Sequence, residues 1–213
     1  MKINANINKV KTSATLEINE KSKFLEKQGR SIYKFGLGQS PFPVPKNIVK
    51  ELKKNSHQKD YLNVSGLEDL RIAVSKYHSK KNKYNYTDNN ILIGPGSKEL
   101  IFQTQLVLNC DLLLPSPSWV SYEPQAKILN KKTIWIKTYK KNKWHLTGND
   151  LEKVCKKSKK GKLLILNSPN NPSGTSSEHL KQIAKMAKKH KVIIIADEIY
   201  AELDFSGSYK SIA

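Results

Sequence analysis

Leu163-Leu164-Ile165-Leu166-Asn167-Ser168-Pro169-Asn170-Asn171-Pro172-Ser173-Gly174-Thr175 and, further on, Val192-Ile193-Ile194-Ile195-Ala196-Asp197-Glu198-Ile199-Tyr200 decide how this chain is read. Each begins as a short, continuously apolar run, the pattern of a strand buried on both faces of a parallel sheet. Each then breaks at once into polar residues. In an open α/β sheet, ligands gather beyond the carboxyl ends of the strands, so these two breaks are the first places to look for chemistry. Two prolines and three asparagines directly after a buried strand exceed what a turn requires, although Asn-Pro is by itself a turn signal. Asp197 closes an all-apolar strand, and a carboxylate buried there needs a cationic or hydrogen-bonding partner. A helix cap or a surface acid is the plainer alternative.

Outward from these segments the same rhythm continues. Apolar runs predict strands over 32–35, 91–93, 112–114 (closed by Pro115) and 133–137, beside those over 163–166 and 192–196. Helical spacing predicts helices over 16–27 (ended by Gly29), 98–108, 121–129 and 150–157, and one through Lys54 opened by Pro45. Leu67, Leu70, Val74 and Tyr77 mark one face of another. Thr175-Ser176-Ser177-Glu178 offers a capping box for a helix running to about His190. The Gly36–Pro45 stretch is too rich in glycine and proline for regular structure. Strands alternating with helices predict an α/β fold, a mainly parallel sheet covered by helices on both faces. The turn Gly94-Pro95-Gly96-Ser97-Lys98 has small residues that let backbone N–H groups approach a phosphate at a helix N-terminus. It lacks the P-loop pattern, and a plain tight turn explains it equally well.

Composition narrows the partners. The 213 residues carry a formal net charge of +20, which alone would suggest nucleic acid or an anionic membrane. Arginine, the residue best fitted to phosphate and base recognition, occurs only at Arg30 and Arg71. The lysines are dispersed, and runs such as Lys156-Lys157-Ser158-Lys159-Lys160 fall between predicted elements as solvated surface. The expectation is therefore no nucleic-acid partner. No apolar stretch approaches the ~20 residues of a membrane span, and the polar start of the chain lacks the apolar region of a secretory signal. Cys110 and Cys155 have neither metal nor disulfide spacing and are expected to be free thiols of a cytoplasmic protein. His57, His78, His145, His179 and His190 show no metal-ligand spacing, so no metal is expected.

Taken in order, these pieces resemble the class I/II, fold-type I aminotransferases of the aspartate-aminotransferase superfamily, which depend on pyridoxal 5′-phosphate. The resemblance rests chiefly on Ser168–Thr175 and Ala196–Tyr200, with Asn171 and Asp197 spaced by 26 positions. It extends to Gly36–Pro45, Tyr61 with Gly66 and Leu70-Arg71, Gly96-Ser97-Lys98, and Pro117-Ser118-Trp119 before Val120-Ser121-Tyr122. It implies residues 1–45 as an N-terminal arm and part of a small domain, and residues 46–213 as the cofactor-binding large domain, incomplete at its C-terminal end.

The same resemblance implies roles. Asp197 would pair with the cofactor's pyridine nitrogen, making the ring an electron sink. Tyr200 and Asn171 would hydrogen-bond its phenolate oxygen, and Trp119 would stack on its face, although a lone tryptophan is also a common core residue. Gly96, Ser97 and Lys98 would hold the phosphate, mostly through backbone amides. Tyr61 resembles a tyrosine that reaches the phosphate in the other subunit, which implies a homodimer. Gly38 falls in the segment resembling the substrate-carboxylate loop. The implied reaction moves an amino group between an amino acid and a 2-oxo acid; C–S lyases, aminocyclopropane-carboxylate synthases and a non-catalytic remnant are the alternatives. The family's imine-forming lysine lies beyond the Asp-Glu-Ile-Tyr strand, and Lys210 lacks its motif context. The expectation is a chain that ends before that lysine and is poorly stable and inactive alone.

Overall fold

The computed structural model describes residues 4–158, 160–207 and 209–213, so Lys159 of the lysine run and the first three residues lie outside it. The chain divides into two compact units, one of Thr12–Ile93 and one of Met1–Lys11 with Gly94–Ala213. These units do not follow the division drawn at residue 45 on the sequence.

In the Thr12–Ile93 unit, α1 spans Ala14–Lys27, α2 Lys46–Asn55 and α3 Glu68–Asn82. Helix α3 packs on a 3-10 turn at Asp88–Asn90, where Arg71 donates to the Asp88 carboxylate at 3.1 Å and to its carbonyl at 3.0 Å. Two expectations fail in this unit. The segments 32–35 and 91–93 form no strand: neither has a ladder partner, and the backbone bonds of the 91–93 run go from Ile91 N–H to the Asp88 carbonyl and from Ile93 N–H to the Ser65 carbonyl. The apolar stripe of α3 is also not its buried face. Leu67, Leu70 and Tyr77 are exposed, while Arg71, paired with Asp88, and Ser75 are buried.

The other unit holds the sheet. In chain order it comprises α4 (Ser97–Val107), β1 (Cys110–Ser116), α5 (Tyr122–Ile128), β2 (Thr133–Lys137), α6 (Gly148–Cys155), β3 (Gly161–Asn167), α7 (Leu180–Lys189) and β4 (Val192–Asp197). The four strands run parallel in the order β2-β1-β3-β4. Alternation along the strands separates two cores. Leu112, Leu114, Leu163 and Ile165 face Ile101 of α4 and Tyr122 and Ala126 of α5. Leu113, Leu164 and Leu166 face Leu151 and Val154 of α6 and Ile183 and Ala187 of α7. Helices thus cover both faces, and the continuous apolar runs follow from that double burial.

Strand β1 runs one residue past Pro115. It can do so because its pairing with β3 ends at Leu113, so the missing proline N–H interrupts no bond on that side. The expected capping box at Thr175 does not form. Helix α7 begins later, after His179, while Thr175 Oγ1 meets Ser173 Oγ at 2.8 Å. The box appears instead at Thr147 and Asp150, opening α6. Both cysteines are free and buried, and burial raises both thiol pKa values. No helix of the described residues is long and apolar enough to cross a membrane.

Candidate active site

Strands β3 and β4 end side by side, with Asn167 in register with Asp197. Asn167 joins their polar extensions. Its Nδ2 donates to the Asp197 carbonyl at 2.9 Å, and its Oδ1 accepts from the backbone N–H of Asn171 at 2.7 Å. Ser168 N–H adds a bond to the same Asp197 carbonyl at 3.1 Å. The Asn-Pro-rich loop is then closed on itself. Asn170 Oδ1 accepts from the N–H and hydroxyl of Ser173, and Asn170 N–H donates to the Thr175 carbonyl. Ser168 Oγ accepts from Ser177 N–H at 2.9 Å. The asparagines therefore satisfy the backbone of a loop that leaves the sheet, and they hold Asn171 at one height above it.

The result is a pocket of about 120 Å³ at the carboxyl end of the sheet. Ser97, Trp119, Asn171, Asp197 and Tyr200 line it, joined by Tyr122, Asn167 and Ile199. Asp197 is buried, and its Oδ2 accepts from the Tyr122 hydroxyl at 2.6 Å; its Oδ1 accepts from Ile199 N–H at 3.3 Å. Burial, and then the hydrogen bond to Asp197, push the Tyr122 hydroxyl pKa far above its ordinary value, so Tyr122 stays a donor. The carboxylate thus has the partner that its burial demands.

Asn171 Nδ2 donates to Tyr200 Oη at 3.3 Å. That leaves one amide hydrogen of Asn171 and the hydroxyl hydrogen of Tyr200 for a shared acceptor. Trp119 packs edge-to-face on Tyr122, with ring centroids 5.2 Å apart. Gly96 is the N-cap of α4 with φ of 104°, a conformation that favours glycine, and a Cβ there would meet nothing. The opening amides of α4 are consequently unobstructed. Lys98 is exposed, and its ammonium lies 5.1 Å from the Trp119 ring centroid, so only its backbone belongs to this turn.

Five of the residues singled out on the sequence thus surround one pocket, with Gly96 and Lys98 flanking Ser97. Tyr61 and Gly38 are exposed and belong to the Thr12–Ile93 unit. Lys210 is exposed and does not line the pocket. Sequence reasoning missed two residues. Tyr122 was quoted within a motif but assigned nothing, and its helical spacing from Trp119 was the available signal. Asn167 is one of the three asparagines that exceed a turn's needs but was given no role of its own, whereas it ties β4 to Asn171. Among the described residues no cluster of three or more potential metal ligands occurs.

Residues 30–212 match the family model for aminotransferase class I and II. The chain belongs to that family. Among curated relatives of this aminotransferase family, the asparagine–oxo-acid transaminase of Streptococcus mutans is 32% identical over 97% of this chain and 54% of its own length. The aspartate aminotransferase of Bacillus sp. strain YM-2 is also 32% identical, over 94% of this chain and 53% of its own. The aspartate aminotransferase of Thermus thermophilus with maleate superposes with a TM-score of 0.91 at 23% identity, covering all of this chain and 57% of that one, a likeness of fold. The chain spans about half the length of the curated relatives it matches.

Proposed function

We propose that the pocket at the ends of β3 and β4 binds pyridoxal 5′-phosphate and serves a transaminase that moves an amino group between an amino acid and a 2-oxo acid. The observation that carries this reading is the donor set. One rim holds a buried carboxylate that only accepts; the other holds an amide and a hydroxyl that converge with hydrogens to spare. A flat heteroaromatic with a protonated ring nitrogen and a ring oxyanion fits that set, with Trp119 as an aromatic wall and the unobstructed start of α4 for a phosphate.

When bound, the cofactor supplies an electron-withdrawing ring that eases proton loss at an amino acid's Cα. Asp197 keeps the ring nitrogen protonated by charge pairing in a site shielded from water. Tyr122 and Ile199 N–H orient that carboxylate, so little reorganisation accompanies the reaction. Asn171 and Tyr200 donate to the ring oxygen, and Asn167 sets the height of Asn171. Ser97 and Lys98 offer main-chain N–H groups to the phosphate, while the Gly96 N–H is held by the Gly94 carbonyl at 2.7 Å. The relatives named for aspartate and asparagine favour an acidic amino acid or its amide as donor. We also propose, on the family resemblance alone, a homodimer in which Tyr61 serves the partner's site.

The test is an assay with pyridoxal 5′-phosphate, L-aspartate or L-asparagine, and 2-oxoglutarate. With the family's imine-forming lysine supplied after this chain, formation of glutamate, abolished by Asp197→Ala, is expected. Release of a thiol and pyruvate from an S-alkyl cysteine, with no glutamate formed, would assign the site to C–S cleavage instead.

A further inference from the structure

One short helix holds parts of both ends of this pocket. On α5, Tyr122 and Gln125 stand three residues apart and share a face. Tyr122 reaches the Asp197 carboxylate. Gln125 reaches α4: its Nε2 donates to the Lys98 carbonyl at 2.8 Å, one residue beyond Ser97. Its Oε1 accepts at 2.9 Å from Nε2 of Gln105, a side chain fully buried further along α4. The Oε1 of Gln105 has no partner.

The directions of this relay are forced. A carbonyl only accepts, so Gln125 must turn its nitrogen toward Lys98. Its oxygen then faces Gln105, and Gln105 must offer its nitrogen, which strands its own oxygen. A buried acceptor without a partner is destabilising, whereas two apolar side chains of similar volume would pack the helices without that cost. What the polar pair adds is position: a hydrogen bond sets one distance and one direction between α5 and the first turn of α4, and an apolar contact sets neither. The Lys98 ammonium against the Trp119 ring ties the same turn to the segment leading into α5.

We infer that Gln125, braced by Gln105, is a positioning residue that holds the phosphate-facing amides of Ser97 and Lys98 in fixed relation to the Tyr122–Asp197 pair. The inference rests on the cofactor reading above. It gives α5 the role of a strut between the group that meets the ring and the groups that meet the phosphate.

The test separates phosphate from ring by titrating pyridoxamine 5′-phosphate and pyridoxamine independently, with the preference defined as the ratio of the two Kd values. In wild type the phosphate form is expected to bind tighter. Gln125→Met, close in volume, is expected to reduce that preference by roughly 3- to 10-fold, the worth of one hydrogen bond, with pyridoxamine affinity unchanged. Gln105→Met keeps the Gln125–Lys98 bond but moves the stranded oxygen to Gln125, so it should lower thermal stability by no more than one lost hydrogen bond while also reducing the preference; it carries the test if Gln125→Met does not fold. An unchanged preference in the folded variants overturns the inference, as does equal weakening of both ligands, which a merely structural role would produce. A wild-type protein that binds neither ligand, or binds both equally, overturns the cofactor reading itself.

Discussion

Replacing Tyr122 by phenylalanine removes one oxygen from a fully buried ring and tests how the site keeps its carboxylate in place. The hydroxyl lies 2.6 Å from Asp197 Oδ2, and the carboxylate's other protein contact is a longer bond from Ile199 N–H at 3.3 Å. Hydrogen bonds to a charged group contribute about 1.5–3 kcal/mol. The carboxylate itself remains buried in the variant, so the loss should sit in that range. Taking about 2 kcal/mol, and about 2–4 °C per kcal/mol for a chain of this size, Tyr122→Phe should melt roughly 4–8 °C lower at pH 7 by circular dichroism. The pH dependence carries a sign. The folded-state pKa of this hydroxyl is raised, so the stability it contributes is complete below the unfolded value of about 10 and is lost as pH rises above it. The gap between wild type and Tyr122→Phe should therefore narrow above pH 10. Urea unfolding of both proteins, of Asp197→Asn and of the double variant closes a cycle. A coupling energy below about 0.5 kcal/mol, the level expected of independent sites, would refute the argument.

Three further outcomes follow from the same contacts. Leu164→Ala, at a fully buried position in the centre of β3, should cost about 2–5 kcal/mol in urea unfolding. Asn167→Ala should leave Asp197 in place but release Asn171, weakening pyridoxamine 5′-phosphate binding by roughly 10-fold or more as two buried bonds are lost. His145 is buried, and burial holds its pKa below the ordinary value, with Glu178 opposing and His179 and Lys143 adding to the depression. Its contribution to stability is present above the unfolded value of about 6.5 and lost as pH falls below it, so melting temperature between pH 7.5 and 5 should fall less steeply in His145→Gln.

What was legible on the sequence follows physical lines. The run at 163–166 reads as a strand because burial on both faces leaves no polar positions to blur it; those at 133–137 and 192–196 are partly exposed edge strands that read as such from β-branched and aromatic residues, and the sheet bears all three out within a residue or two. The runs at 32–35 and 91–93 look the same locally, but a strand also needs a neighbour, which local sequence does not report. Periodicity marks the apolar face of α3 but does not report that Arg71, paired with Asp88, is buried on that helix while Leu67, Leu70 and Tyr77 are exposed. Thr175 has the spacing of a cap, yet its hydroxyl is engaged by Ser173 in the loop. At the site, Asp197, Tyr200, Asn171 and Ser97 lie in the polar or glycine-rich breaks that follow apolar runs, Trp119 was carried by the family resemblance alone, and all five line one pocket. The residues that orient them come from other elements. Tyr122 reaches Asp197 across 75 positions of sequence, and Gln125 reaches Lys98 across 27. Such pairings become visible only once the sheet brings the helices together.

The central claim is that the Asp197 carboxylate receives the ring of a phosphorylated pyridine cofactor, and one titration tests it most directly. Pyridoxal 5′-phosphate is added to wild type and to Asp197→Asn, a variant that keeps the side chain's size and removes its charge, with binding followed by the cofactor's absorbance. Saturable binding to wild type is expected, weakened roughly 10- to 100-fold in the variant, the worth of a charge-assisted hydrogen bond. Equal binding to both proteins would contradict it.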